Sequence, residues 1–353
     1  MNVAIVHDYL SQRGGAERVV LHLASMFGGS PIFTSLYAAE RTYDEFRDLE
    51  VVTSHLQGRV DPQHFRRAVL RYPGAFRRLP LGDAERVVVS SSAFAHHIRH
   101  PRSLVYCHTP PRFLYDPEAY FRGRAAARAA RAALAPLRRQ DRRAALGHVA
   151  YVANSEVTAR RIAKTYGRVA PVVYPPLATA HLPSRPQPLP SRPRALVVAR
   201  LLPYKRIEVA IAACAAARIP LTVVGEGPDE PRLRRLASGH VDFAGWLDDD
   251  RLAEVFVSHS VVLAPGVEDF GFGPVEASFA GRPVVAVAAG GALETVRDGV
   301  TGRLVEGWDP GSWAAAITDV LSRRWSPTDL RGHTTAFGAE VFEGAIRQHL
   351  AAV

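Results

Sequence analysis

At 353 residues the chain has room for two domains with ample cores, and no apolar run approaches the length of a membrane span. Its two cysteines, Cys107 and Cys214, lie far apart in apolar surroundings, which argues against a disulfide framework or a cysteine-ligated metal. The net charge of +10 is uneven: residues 1–180 hold 26 basic against 14 acidic side chains, and residues 181–353 hold 18 against 20, so the first half is expected to meet something anionic.

The chain opens on an apolar run, Asn2–Val6, with no signal-peptide pattern, and the expected location is the cytoplasm. Further strand-like runs follow at Pro31–Phe33, Val51–Val52, Val87–Val89, Leu104–Cys107, Val149–Val152 and Val172–Tyr174. Helical segments separate them, a spacing that predicts a parallel, doubly wound α/β sheet. Between Arg122 and Arg143 lie eight arginines among many alanines. Arg124, Arg128, Arg131, Arg138 and Arg142 fall on one helical face, with Pro136 kinking or dividing the helix. A solvated arginine face explains this segment, and surface docking on an anionic membrane or a lipid-linked diphosphate is the functional alternative. No helix-turn-helix, zinc-finger or RNP-like pattern accompanies the basic half, so nucleic acid is not the expected partner.

Residues 181–194 are proline-rich without apolar periodicity and mark an interdomain linker. Alternation restarts at Ala195–Ala199, Leu221–Val224, Val241–Phe243, Val261–Ala264, Val284–Val287 and Arg303–Val305, giving a second Rossmann-like domain over 195–333 after a first over 1–180. The run ending at Arg200 is followed closely by Lys205 and Arg206, and ligands of open α/β sheets sit beyond the carboxyl ends of strands. Lys164 and Lys205 are the only lysines beside forty-two arginines, and a compact ammonium suits a phosphate oxygen.

The stretch Glu268–Glu276, EDFGFGPVE, is the most informative in the chain. Pro265 and Gly266 stop a buried strand, Gly271, Gly273 and Pro274 interrupt the turn, and a helix is expected from Val275. That order aims backbone N–H groups at an anion or sugar oxygen, with Glu268 at the strand end and Glu276 in the first helical turn. Cations facing two carboxylates fit a nucleotide sugar. The plainer alternative makes Glu276 a helix-dipole partner and Glu268 a solvated loop acid. Asp248-Asp249-Asp250 formally matches a DxD metal site, but its position before a helical pattern reads as an N-cap with first-turn acids. In residues 334–353, Phe337, Val341, Phe342, Ile346 and Leu350 form an apolar stripe expected on a helix that docks on the first domain.

With these features in place, the chain resembles the GT-B fold glycosyltransferases, and within them the retaining family four. ARLLPYKR, VGEGPDEPRLR, FAGWLDDDRLAEVF, EDFGFGPVEASFAGRPVVA and GGALETVRDGVTGRLV follow that family's second domain in order. HDYLSQRGGAERV, VYCHTPPRFLYD, YVANSEVTARRI and VVYPPL are similar to bacterial mannosyltransferases that build polysaccharide. The resemblance implies two Rossmann-like domains facing a central cleft, the last helix crossing back to the first. It implies that Arg200 and Lys205 hold the donor diphosphate, that Glu276 binds the ribose and that Glu268 bonds hydroxyls of the transferred sugar. Gly271, Phe272 and Gly273 would approach the sugar and phosphate, Gly14 and Gly15 would form a loop closing on the donor, and Asp8 and Tyr9 would stand near the acceptor. His108 would lie near the anomeric carbon, while His7 is structural or peripheral. No metal or other cofactor is expected. GDP-mannose is favoured as donor through the subgroup likeness, with UDP-glucose, UDP-N-acetylglucosamine and a dTDP-deoxysugar open. The acceptor would be a glycan, a lipid-linked molecule or a small molecule. A nucleotide-sugar epimerase or binding protein of the same fold is the alternative.

Overall fold

A computed structural model describes residues 2–62, 64, 68–116, 124–179, 182, 183, 185 and 187–353. Arg122, the side chain of Arg124 and, in the proline-rich segment, His181, Ser184 and Pro186 lie outside the described residues. The chain forms two compact units, Met1–Pro176 with Glu340–Val353, and Leu177–Ala339.

The first unit holds β1 (Val3–His7), β2 (Ile32–Thr34), β3 (Val51–Thr53), β4 (Arg86–Ser91), β5 (Ser103–Cys107) and β6 (Ala150–Ala153), all parallel, in the order β3-β2-β1-β4-β5-β6. The second repeats the plan with β7 (Ala195–Val198), β8 (Leu221–Val224), β9 (Val241–Gly245), β10 (Val261–Ala264), β11 (Val284–Val287) and β12 (Gly302–Val305), ordered β12-β11-β10-β7-β8-β9. Central strands such as VAIVH and LTVV are buried along their whole length. That is why they read as continuous apolar runs rather than as alternating ones: helices cover both faces of a parallel sheet. Each sheet reverses its winding once, between β1 and β4 and between β7 and β10. Those two switch points, at the carboxyl ends of the strands, are where such sheets open a crevice for ligand.

Two local expectations change and a third, the division of the arginine-rich helix near Pro136, is met. Val172–Tyr174 makes only an isolated bridge from Val172 to Ala153, because Pro171, Pro175 and Pro176 remove the amide donors a ladder needs. The helix after β10 begins at Phe272, not Val275, which places Glu276 beyond the first turn; a proline in the first turn gives up only an amide the helix does not use. The arginine-rich segment is two helices, Arg124–Ala133 and Ala135–Leu146, separated at Leu134 with Pro136 near the start of the second.

The helix Ala339–Ala351 carries Phe342, Ile346 and Leu350 at a spacing of four, all buried. Phe342 meets the Tyr106 and His22 rings edge-on at 5.4 and 5.6 Å, and Arg347 donates to the Met26 carbonyl at 3.0 Å, so from Glu340 onward the segment belongs to the first unit. Val341 does not share the stripe; it is exposed. Phe337 belongs to the second unit, packed edge-on against Phe270 at 5.4 Å.

Candidate functional site

At the switch point of the second unit, β7 and β10 send their following residues out of the same sheet edge. Arg200, two residues beyond β7, is exposed. The chain then makes a 3-10 turn, Pro203–Lys205, and Arg206 takes a left-handed conformation (φ 54°) to enter the helix Ile207–Ala217. This places the Lys205 ammonium in a salt bridge with the Glu268 carboxylate, the side chains being 15% and 30% exposed. The pair is shielded enough to hold its geometry and open enough to exchange partners with a ligand. Close backbone packing fixes the approach: a Cβ on Gly266 would stand 3.0 Å from the Lys205 Cα. Arg206 lies over the Trp308 ring at 4.9 Å, and the Trp308 indole donates to the Pro265 carbonyl at 2.9 Å. Turn and loop are thereby tied together.

Glu268 is supported from β11 as well. The Gly291 amide donates to the Glu268 carbonyl at 2.9 Å, and a Cβ on Gly291 would come within 2.1 Å of the Phe270 carbonyl oxygen. Only glycine lets the backbones approach this closely. Gly271, at φ 90°, precedes the helix Phe272–Phe279 and supplies no side-chain cap, so the first-turn amides of that helix are not covered by one. Glu276 is buried within the helix, and Phe272 leans edge-on against Phe270 at 5.2 Å.

The first unit presents a different cluster at its own switch point. Asp8 is buried, and its two carboxylate oxygens accept four backbone N–H groups: Ser92 at 2.5 Å, Ala93 at 2.9 Å, and Phe94 and Ala95 at 2.6 Å each. Expected on the acceptor side, Asp8 instead organises the turn after β4, because four converging amides occupy its lone pairs. Tyr9 is half-buried and packs on the apolar core. His7 closes β1. Its Nδ1 faces the Ser90 carbonyl at 3.2 Å and hydroxyl at 3.1 Å, and its Nε2 stands 3.6 Å from Glu17 Oε1, an ion-pair separation longer than a hydrogen bond. The Ser90 hydroxyl also meets His108 Nε2 at 2.8 Å. Burial, and then the charge of His7, push the His108 pKa down to about 3, so its imidazole is neutral. For His7, burial alone would lower the pKa; Glu17, then Asp8 and the Ser90 carbonyl, outweigh it and raise the value, favouring the imidazolium.

Gly14 precedes the helix Gly15–Met26 without a side-chain cap, and a Cβ there would lie 2.7 Å from Glu17 Oε2. Gly14 therefore makes room for a buried carboxylate under the helix start. Farther along, Asp141 accepts from Tyr115 at 2.7 Å and Tyr166 at 2.9 Å and faces His96 and His97 at 3.0 and 3.3 Å. Burial alone would raise the Asp141 pKa, but the two histidines hold it well below the usual carboxylate range. Among the described residues His96, His97 and Asp141 are the one group whose ligand atoms lie close enough, within 4.8 Å, for a cation. Asp141 already has four polar neighbours, which makes this a core network.

Residues 192–323 match the family model described as glycosyl transferases group 1. That match lies within the second unit. It is 50% identical over 74 residues to the D-inositol 3-phosphate glycosyltransferase of Mycolicibacterium vanbaalenii, covering 21% of this chain and 16% of that protein. It is 32% identical over 199 residues to the GDP-mannose-dependent alpha-(1-6)-phosphatidylinositol monomannoside mannosyltransferase of Mycobacterium tuberculosis, covering 48% and 52%. In these two matches the chain spans about half or less of the relatives' own length. The crystal structure of Anabaena Alr3699/HepE with UDP and glucose superposes at a TM-score of 0.73 with 18% identity and full coverage of both chains, a likeness of fold. Both six-stranded sheets thus have the GT-B fold.

The matched segment contains Arg200, Lys205, Glu268, Gly271, Phe272, Gly273 and Glu276. Of these, Lys205 and Glu268 touch directly, Arg200 emerges from the neighbouring strand, and the others form the loop and helix start behind Glu268. In the first unit His108 is joined to His7 through Ser90. Glu17 and Ser90 escape a reading by motif: an acid in a first helical turn looks like a dipole partner, and a serine at a strand end looks like filler. The signal for Glu17 is its place straight after Gly14-Gly15-Ala16, where small residues leave space for a side chain folded inward.

Proposed function

We propose that the chain is a retaining hexosyltransferase that moves a hexose from a nucleotide-sugar donor to an acceptor hydroxyl. The observation that carries the reading is the Lys205–Glu268 pair at the switch point of the family-matched unit, because it sets a mobile cation and a hydroxyl-accepting carboxylate side by side. Glycosyl transfer places charge on the departing diphosphate as the glycosidic bond breaks. Lys205 and Arg200 would stabilise that charge where it develops. Glu268 would accept hydrogen bonds from hydroxyls of the transferred sugar, and the helix start behind Gly271 would offer amides to sugar and phosphate. Glu276 would bind the ribose. We assign no covalent nucleophile: the reaction would run as a front-face exchange through an oxocarbenium-like state, the departing phosphate helping to take the acceptor proton. Two cations and helix amides can neutralise a diphosphate, so we propose that no metal is needed.

GDP-mannose is the favoured donor, supported by the name of the mycobacterial mannosyltransferase relative, and UDP-glucose is the competitor. A lipid-linked acceptor is supported by the same name and by exposed Arg128, Arg131, Arg139, Arg142 and Arg143 on the paired helices of the first unit. Among the described residues no helix is long and apolar enough to cross a membrane, so contact with a bilayer would be peripheral. The test is thermal unfolding with a panel of nucleotide sugars, followed by mass spectrometry of product with the stabilising donor. Stabilisation by GDP-mannose and a hexose added to acceptor are expected. An epimerised sugar formed without acceptor, or no stabilisation by any donor, would overturn the reading.

A further inference from the structure

The buried groups around His108 lie outside the family-matched segment and have no part in the reaction outlined above. His7, Glu17 and Ser90 are at most 1% exposed, whereas His108 keeps 7% of its surface open. They form a linear series. Gln12 donates to Glu17 Oε1 at 2.9 Å; Glu17 Oε1 faces His7 Nε2; His7 Nδ1 faces Ser90; and the Ser90 hydroxyl meets His108 Nε2 at 2.8 Å. The direction of the series is set at His7, whose Nδ1 faces the Ser90 carbonyl at 3.2 Å, an oxygen that can only accept, so this nitrogen carries a proton. With both His7 nitrogens protonated, Nε2–H points at the Glu17 carboxylate and Nδ1–H at the oxygens of Ser90. The Ser90 hydroxyl then accepts on that side, and its single proton can go only to His108 Nε2. A neutral imidazole that accepts at Nε2 carries its proton at Nδ1.

We infer that Glu17, His7 and Ser90 are positioning residues that hold His108 in the Nδ1–H tautomer, so that His108 meets substrate as a hydrogen-bond donor and not as a base. A donor of this kind suits a substrate oxygen; it could not remove a proton from the acceptor hydroxyl. The backbone holds the ring in place: the His108 amide donates to the Ser91 carbonyl at 2.8 Å, the Thr158 hydroxyl donates to the His108 carbonyl at 3.0 Å, and Tyr106 stands edge-on to the ring at 5.1 Å. With the ring fixed and Nε2 engaged, Nδ1 is the nitrogen left for a ligand. Gly14 has a place in the same arrangement, since any side chain there would push on Glu17.

The catalytic consequence rests on the transferase reading, but the tautomer does not, so the two can fail separately. The experiment is 15N–1H correlation spectroscopy of the full chain with 15N-histidine, His108 being assigned by the resonance lost in His108→Gln. The wild type is expected to show a protonated Nδ1 and an unprotonated Nε2 at neutral pH. Ser90→Ala and Glu17→Gln should each move those shifts toward a mixture of tautomers. In transfer assays Ser90→Ala should lower kcat about tenfold while KM for donor changes less than threefold, a split that loosened folding would not produce. A wild-type His108 protonated at Nε2, or an Nδ1–H tautomer unchanged in both variants, would overturn the inference; the first result needs no variant to fold.

Discussion

Replacing Lys205 by alanine removes one cation from the proposed donor site and also leaves Glu268 without its partner. The magnitude follows in two steps. A hydrogen bond from a charged group contributes about 1.5–3 kcal/mol, so losing the ammonium from the diphosphate should lower kcat/KM for donor roughly tenfold to 150-fold. The Glu268 carboxylate, 30% exposed and now uncompensated, also repels the incoming diphosphate. That second effect depends on Glu268 being charged, so Glu268→Gln should be less harmful in the Lys205→Ala background than in the wild type. The cycle of Lys205→Ala, Glu268→Gln and the double variant is therefore expected to be non-additive by about 1 kcal/mol, a size common for directly contacting residues. Initial rates of nucleoside diphosphate release at sub-saturating donor measure all four corners. A Lys205→Ala enzyme within twofold of wild type, or strictly additive effects, would refute the reasoning.

Gly291→Ala should disable the same loop from behind, because its Cβ would meet the Phe270 carbonyl at 2.1 Å; a loss of about 2 kcal/mol or more in chemical unfolding is expected. Asp8→Ala should destabilise the first unit by about 3 kcal/mol or more, since four amides lose their acceptor, and a change in unfolding midpoint within error would contradict that role. Acid should weaken the first unit early. Burial lowers the pKa of His97 and His148 to about 4 and, with the charge of His7, that of His108 to about 3, so the unfolded chain takes up protons below its ordinary imidazole pKa while the folded chain does not. Each group removes up to about 1.4 kcal/mol per pH unit as pH falls from roughly 6.5 toward those values. His7, whose pKa is raised, opposes this by contributing stability that is present at low pH and lost as pH rises through its folded value. Thermal melts from pH 7 to pH 4.5 should fall steeply, and a flat profile would count against the neutral histidines.

The repeated sheet was legible because central parallel strands buried on both faces leave apolar runs, and each of the twelve strands overlaps a run picked out in the sequence, although the edge strand β9 carries the exposed Asp242. Val172–Tyr174 misled because apolarity alone does not show that flanking prolines have removed the amide donors. In the second unit the site was legible because its residues lie in two short segments following adjacent strands. Nothing local showed that Lys205 and Glu268 pair, since 63 residues separate them, or that Gly291 and Trp308 hold the loop. In the first unit legibility failed for side chains that work inward. Asp8 looks like a ligand-facing acid until four amides from the turn after β4 converge on it, and His7 looks peripheral until Ser90, 83 residues away, is set beside it. These roles depend on strand register, which a motif does not carry.

The central claim is that donor is bound by the segments following β7 and β10. Hydrogen exchange with mass spectrometry, with and without saturating GDP-mannose or UDP-glucose, tests it most directly. With either donor the account predicts slowed exchange in peptides covering residues 199–207 and 266–276, where Arg200, Lys205, Glu268 and Glu276 lie. Protection confined to other parts of the chain, with these two segments unchanged while donor is demonstrably bound, would contradict it.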